Sequence, residues 1–501
     1  MFNRTKIVAT IGPASNNKET VETLIQEGVD VFRLNMSHGT HEEHEKVINI
    51  IHQANHDLGT HVGILADLQG PKIRLGKLAE GKFDVQRDDI LCFTTRKLPQ
   101  DSTRDLLYVT YEFFAEDVRP GQKILIDDGK IELRVIESNG KDEVRAIVVH
   151  GGAISSKKGI NLPETEISAA SLSEKDSQDL AFVFKHNINW IALSFVRSAA
   201  EIVQLQGIIA FNRHHAKIIA KIERPEAVKN IDEIIRASDA IMVARGDLGV
   251  EIPLEQVPMI QKSIVRKCGI AAKPVIIATQ MMESMISSPT PTRAEITDVA
   301  NAVLDGADAL MLSGETAMGA FPIKVVQTFG RIIVTIEEES QVFNRYHLPV
   351  PTSPTFMSDA VCYNACKISE NVQAAAILGL TVSGYTAFML ASHRPKSNIF
   401  IFTSSLKMLN MFSLIWGVRA FFYDHPHNTE ETMTTVRRFL KGRNYIKSGD
   451  IVVHTASIPL SEGGRTNAIK LATINGADKM ILAPPQKTPL TQQQLSGLGA
   501  K

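Results

Sequence analysis

Four cysteines in 501 residues are too few and too scattered to staple a fold. Cys92, Cys268, Cys362 and Cys366 read as packed thiols, even the last two, which stand one helical turn apart. A disulfide-framed secreted scaffold is thereby excluded. Excess charge is missing as well: 54 Lys and Arg oppose 55 Asp and Glu, for a net charge of −1, so no basic face for nucleic acid is expected. No apolar run reaches the length of a membrane span, and the opening Met1-Phe-Asn-Arg-Thr-Lys lacks the apolar core of a signal peptide. The expectation is a cytoplasmic protein without nucleic-acid or membrane partners. With 44% hydrophobic and 22% charged residues, the chain has the composition of a globular protein and the length for two or three domains.

Short runs rich in Ile, Val and Ala recur at 6–10, 30–35, 62–67, 190–195, 216–222, 240–244, 275–278 and 309–313. Such runs suit strands buried on both faces of a parallel sheet. Between most of them lie stretches with helical spacing, such as 42–54, with Val47, Ile48, Ile50 and Ile51 apolar, and 294–304. Eight alternations predict a (β/α)8 TIM barrel. Chemistry then falls at successive strand ends: Lys221-Ile-Glu223, Arg245-Gly246-Asp247 and Thr279-Gln280. A barrel gathers its catalytic groups at the C-terminal ends of its strands, so an ammonium, two carboxylates and a hydroxyl should converge.

One gap breaks the alternation. Between Asp67 and a helix expected near Ser173, the segments 83–85, 90–94, 123–126, 131–135 and 144–149 alternate with period two, separated by turns at Gly121, Asp128-Gly129 and Asn139-Gly140. This is the pattern of a small β-barrel domain inserted into a catalytic-face loop as a lid. After a Pro-rich connection at 348–355 the pattern restarts, with strands expected at 374–380, 399–402, 418–423, 451–454 and 480–482 and helices at 359–370, 406–415 and 429–440. That is a C-terminal three-layer α/β domain. The expected organisation is a discontinuous barrel over 1–70 and 166–345, a lid over 71–165, a regulatory domain over 355–483 and a disordered Pro- and Gln-rich tail over 484–501.

Two patterns mislead. His38, His41 and His44 are spaced like metal ligands, yet Thr40 followed by Glu43 predicts a capping box opening a helix. Gly76 with Gly81-Lys82 imitates a phosphate loop, but Phe83 stands where a magnesium-binding hydroxyl is needed.

The segments Arg4–Ser15 (RTKIVATIGPAS), Arg33–Gly39 (RLNMSHG), Lys221–Glu226 (KIERPE), Ala244–Gly249 (ARGDLG) and Met311–Thr316 (MLSGET) closely resemble the pyruvate kinase family. So does the stretch from Ala278-Thr-Gln-Met-Met-Glu through Pro291-Thr-Arg-Ala-Glu to Gly306. The resemblance implies Mg²⁺-dependent phosphoryl transfer from phosphoenolpyruvate to ADP, giving pyruvate and ATP, the last step of glycolysis, with Mn²⁺ able to replace Mg²⁺. Lys221, Thr279 and Ser313 would be catalytic: Lys221 stabilises the enolate, Thr279 orients a proton-donating water and Ser313 relays, while Glu223 and Asp247, from adjacent strands, would give Mg²⁺ its hard oxygen ligands. Arg33, Gly246 and Asp247 join Lys221 and Thr279 in binding substrate, while Asn35, His38, Arg74 and Lys158 contact nucleotide.

Further implications concern cations and control. Asn35, Ser37, Asp67 and Leu68 match a monovalent-cation site or its remnant, whereas Lys72, with Leu68, Gln69 and Leu75, resembles the branch that does not require K⁺. Thr381, Ser383, Gly384 and Thr386 resemble an effector loop for a phosphorylated allosteric ligand, with Thr403-Ser-Ser405 after the next strand. A homotetramer is expected. Two other classes are weighed. A metal-dependent carbon–carbon lyase acting through pyruvate enolate would not need Arg33, Arg74 and Lys158, and a noncatalytic metabolite sensor should have lost Lys221, Glu223, Asp247 or Thr279.

Overall fold

The computed structural model describes residues 3–168, 170–424, 429–458 and 465–475. Eight parallel strands close a barrel in chain order: β1 (Lys6–Thr10), β2 (Val31–Asn35), β3 (Gly63–Asp67), β4 (Trp190–Leu193), β5 (Lys217–Ile222), β6 (Ala240–Ala244), β7 (Val275–Ala278) and β8 (Ala309–Leu312). Closure comes from β8 pairing with β1, Lys6 opposite Ala309. The strands carry apolar residues at consecutive positions because both faces are buried. Val8, Leu65, Trp190, Ile219, Met242 and Ile276 fill the interior, while the alternate residues Ile7, Ile64, Ile218 and Ile277 belong to the layer packed against the helices.

The chain leaves β3 into the lid at Gly70 and returns through the helix Glu174–Val183. Within the lid a six-stranded mixed sheet is joined by a two-stranded ribbon, Lys82–Val85 against Gly152–Ser155. Leu91, Phe93, Phe114, Leu133 and Val144 form a core separate from the barrel's. All five segments expected here are strands. Three additional ones appear: Leu107–Tyr108 and Ile160–Asn161 are too short to show a period, and Gly152–Ser155, GAIS, has a single large apolar residue.

The C-terminal unit holds a five-stranded sheet in the order Val418–Phe422, Asn398–Thr403, Ala376–Leu380, Ile451–Ala456, Ala468–Thr473. Helices cover both faces: Cys362 and Cys366 lie in the core on one side, Val436 and Phe439 on the other. The last strand is antiparallel, and its mostly half-exposed sequence AIKLAT gave no strand signal. The strand expected at 480–482 and the tail at 484–501 lie outside the described residues. This unit docks at the N-terminal ends of the barrel strands, away from the catalytic face. Lys6, the first residue of β1, reaches Asp30 and the Val418 carbonyl at 3.2 Å each, and Arg4 lies over the rings of Phe343 and Trp416.

Candidate active site

A cleft of about 180 Å³ opens at the C-terminal ends of the strands. Arg33, Asn35, Ser37 and His38 enter it from β2 and the following loop, Asp67 and Leu68 from the end of β3, Lys72 and Arg74 from the start of the lid, Lys221 and Glu223 from the end of β5, and Asp247 from the helix Arg245–Glu251 after β6. Asp67 is the electrostatic hub. Its carboxylate, 2% exposed, accepts from Arg33 Nε at 2.7 Å and pairs with Lys221 Nζ at 3.2 Å. Lys221 Nζ also lies 2.9 Å from Glu223 Oε1 and donates to Ser194 Oγ at 2.7 Å.

Burial and neighbouring charges compete at the three groups of this network. Desolvation alone would lower the Lys221 pKa, but the Asp67 and Glu223 carboxylates outweigh it and hold the ammonium charged well above its ordinary range. For Asp67, desolvation pushes upward, yet Lys221 and Arg33 keep the carboxyl below its ordinary value. Glu223 ends raised: burial pushes it up, Lys221 opposes, and the neighbouring negative charge of Asp247 adds to the rise. Glu223 and Asp247 offer neighbouring carboxylate oxygens, a donor set that fits a hard divalent cation. Lys72 Nζ stands 3.7 Å from Asp247 Oδ1.

Thr279 and Gly246 form a unit beside Asp247. Thr279 Oγ1 accepts from the Gly246 N–H at 2.7 Å and donates to the Ala278 carbonyl at 2.6 Å. Thr279 has φ +69° and Gln280 φ +55°, a left-handed turn that a β-branched residue resists. Arg245 holds it, donating to the Thr279 carbonyl and to Asp298 at 2.7 Å each.

Not every expected residue enters the cleft. Ser313 lines an adjoining cavity of about 520 Å³ that shares Arg33, Asn35 and His38 with it. Lys158 is on the lid and donates to Asp127 at 2.7 Å, outside the cleft lining. His41 pairs with Asp179 and His44 with the His38 carbonyl, while Thr40 and Glu43 form the capping box.

Sequence reasoning missed Ser194 and Phe195 at the end of β4. Ser194 Oγ donates to the Leu68 carbonyl at 2.7 Å while accepting from Lys221, and the Phe195 N–H donates to Glu223 Oε2 at 2.7 Å. The strand-end position that marked Lys221 would have marked them too.

In the C-terminal unit a cavity of about 530 Å³ is lined by Thr381, Ser383 and Thr386 together with Thr403, Tyr423 and Arg465. Gly384, at φ +85°, turns the loop into the helix Tyr385–Ser392, and its N–H donates to Thr381 Oγ1 at 2.9 Å. Arg465 brings the guanidinium that the loop's own sequence lacks.

Residues 2–326 match the family model described as pyruvate kinase, barrel domain, and residues 359–472 that described as pyruvate kinase, alpha/beta domain. The pyruvate kinase of Corynebacterium efficiens is 42% identical over 481 residues, covering 96% of this chain and 100% of that protein. That of Mycobacterium tuberculosis is 40% identical over 478 residues, 95% of this chain and 100% of the relative. A crystal structure of a pyruvate kinase from Cryptosporidium parvum superposes with a TM-score of 0.86 at 35% identity, covering 94% of this chain and 96% of that one. The chain belongs to the pyruvate kinase family, whose reaction passes the phosphoryl group of phosphoenolpyruvate to ADP.

Proposed function

We propose that this chain carries out the family's phosphoryl transfer with Lys221 and Arg33 as its fixed cations, Glu223 and Asp247 as its Mg²⁺ ligands, and Thr279 as the group that directs protonation. The observation that carries this reading is the buried network joining Arg33, Asp67, Lys221 and Glu223 at 2.6–3.2 Å. A preorganised ammonium stabilises negative charge where it develops without reorganising at the moment of reaction. Lys221 would do so at the enolate oxygen, and Arg33 would grip phosphoryl oxygens with its planar guanidinium. Mg²⁺, or Mn²⁺ in its place, would when bound draw charge from substrate oxygens. Thr279 and Gly246 would position substrate beside Asp247, with the threonine hydroxyl orienting the water that protonates the enolate carbon and Ser313 relaying from the adjoining cavity.

Asn35, His38 and Arg74 would meet nucleotide phosphates. Lys158 would leave Asp127 and join them when the lid closes, and the barrel over 1–70 and 166–345 and the lid over 71–165 would be the moving units. The C-terminal unit, over 355–483, would take a phosphorylated effector at Thr381, Ser383, Gly384 and Thr386 with Arg465 as counter-charge. A cytoplasmic homotetramer is the proposed assembly and location.

K⁺ is not required in this reading. A unit charge about 4 Å from a phosphoryl oxygen is worth roughly 4 kcal/mol at an effective dielectric of about 20, and Lys72 can supply it from within the cleft beside the remnant cation site of Asn35, Ser37, Asp67 and Leu68. Pyruvate formation from phosphoenolpyruvate and ADP with Mg²⁺, in buffer free of Na⁺ and K⁺, tests this. Most activity should persist, and Lys72→Glu should lower it and make it respond to K⁺. Strong activation of the unaltered protein by K⁺ at constant ionic strength would show that Lys72 does not replace the ion.

A further inference from the structure

The loop after β2 carries Asn35, Ser37 and His38 into the cleft, and its own bonds are made through N–H groups, that of Ser37 donating to Asn35 Oδ1 at 3.2 Å. The Met36 N–H donates to the Asp67 carbonyl at 3.0 Å, and the His38 N–H folds back on the Asn35 carbonyl at 3.1 Å. What holds the outward carbonyls comes from elsewhere. Lys175, on the helix Glu174–Val183, donates from Nζ to the Met36 carbonyl at 2.6 Å and to Asp179 Oδ2 at 2.7 Å. Asp179 Oδ1 lies 2.8 Å from His41 Nε2, and His44 Nε2 lies 2.9 Å from the His38 carbonyl. Both oxygens of the Asp179 carboxylate, 1% exposed, are therefore committed to groups gripping the two ends of this loop.

The same helix reaches a second wall of the cleft. Asp176, one turn before Asp179, accepts the Gly70 N–H at 3.0 Å through Oδ1 while Oδ2 caps its own helix at Ser173. Gly70 is where the chain turns from the barrel into the lid. A helix with no side chain in the cleft lining thus anchors two of the loops that border the cleft.

We propose that Lys175 and Asp179 are positioning residues for ADP: they fix the Met36 carbonyl and, through His41, the helix start behind it, so that Asn35 and His38 face the nucleotide phosphates. This rests on the nucleotide role given above to Asn35 and His38. A charged donor on a backbone carbonyl is a strong anchor in a half-buried setting, and unlike a packing contact it acts on one loop. Its loss should be felt by one substrate.

The test compares Lys175→Met, Lys175→Arg, Asp179→Asn and Asn35→Ala in the full-length protein by steady-state kinetics and by hydrogen exchange of residues 36–39. Lys175→Met should raise the KM for ADP roughly tenfold, the lower end of what one charge-assisted hydrogen bond is worth. The KM for phosphoenolpyruvate should stay within about twofold. Lys175→Arg should recover much of the loss, and exchange at 36–39 should quicken in Lys175→Met and Asp179→Asn. Unchanged exchange in Lys175→Met, or equal changes in both KM values, would overturn the proposal. An unchanged KM for ADP in Lys175→Met beside a raised one in Asn35→Ala would remove the positioning role alone, whereas an unchanged KM for ADP in Asn35→Ala would remove the nucleotide assignment and the role with it.

Discussion

Thr279 occupies a backbone conformation that its own side chain resists, and Arg245 keeps it there through its carbonyl. A strained residue costs on the order of 1–3 kcal/mol and persists only where its surroundings over-determine it. Because its hydroxyl sits on the Gly246 N–H, beside Asp247, truncation should leave the cations in place and disturb the delivery of the proton. Thr279→Ala should therefore slow exchange of the methyl protons of pyruvate with solvent by about 10² and ATP formation by much less. Equal, small effects on both would assign Thr279 to packing. At this scale the sequence was informative where chemistry ends a strand, as at Lys221, Glu223 and Asp247. It was silent where a residue matters through partners far away in the chain. Asp67 and Ser194 also stand at strand ends, but the partners that give them importance, Arg33 and Lys221 for Asp67 and Leu68 and Lys221 for Ser194, are displayed by no local pattern.

The junction between β3 and the lid depends on one glycine. Gly70 has φ +70°, and a Cβ there would come within 2.8 Å of Phe195 Cδ2 and 2.9 Å of Ser194 Cβ. Those neighbours hold Glu223 and Lys221, so the entry to the lid is seated against the supports of the charged network. Gly70→Ala should lower kcat/KM by roughly tenfold or more while destabilising the fold by about 1–3 kcal/mol. Kinetics beside thermal unfolding would show it, and unaltered kinetics would mean that the Ser194–Phe195 turn moves without consequence. The barrel strands were legible because burial on both faces leaves continuous apolar runs, and the lid strands because alternation marks one wet face. Leu107–Tyr108 and Ile160–Asn161 were not, since two residues have no period. Ala468–Thr473 was missed because a sheet edge demands few apolar residues.

Across the whole molecule, barrel and C-terminal unit meet where Arg394 donates to the Gly306 carbonyl and pairs with Asp308, both at 2.9 Å. Beside it, His393 is 2% exposed among the rings of Tyr346, His347 and Tyr363, and neither ring nitrogen has a hydrogen-bond partner among the described residues. Burial first, then the charges of His347 and Arg394, push its pKa down to about 4. A histidine depressed in the folded state contributes stability above its unfolded pKa near 6.5 that is lost as pH falls toward 4. Between pH 7 and pH 5 this group should remove about 2 kcal/mol. Other histidines, among them half-buried His215 and buried His454, act in the same direction, so the decisive quantity is the difference between the unaltered protein and His393→Phe. The variant should lose less stability on acidification; identical pH profiles would mean that His393 is not buried neutral. The three-unit architecture was legible from changes of periodicity along the chain. The docking of the units was not, because Arg4, Lys6 and Arg394 look like ordinary surface charges until their partners are in place.

The account turns on Lys221 as the cation that meets the developing enolate. The most direct test is pyruvate formation by Lys221→Met with phosphoenolpyruvate, ADP and Mg²⁺, beside circular dichroism to establish that the barrel is intact. Turnover should fall by about 10³ or more, as expected when a preorganised charge is removed from a water-excluded site. A folded Lys221→Met protein that turns over near the rate of the unaltered one would contradict the account.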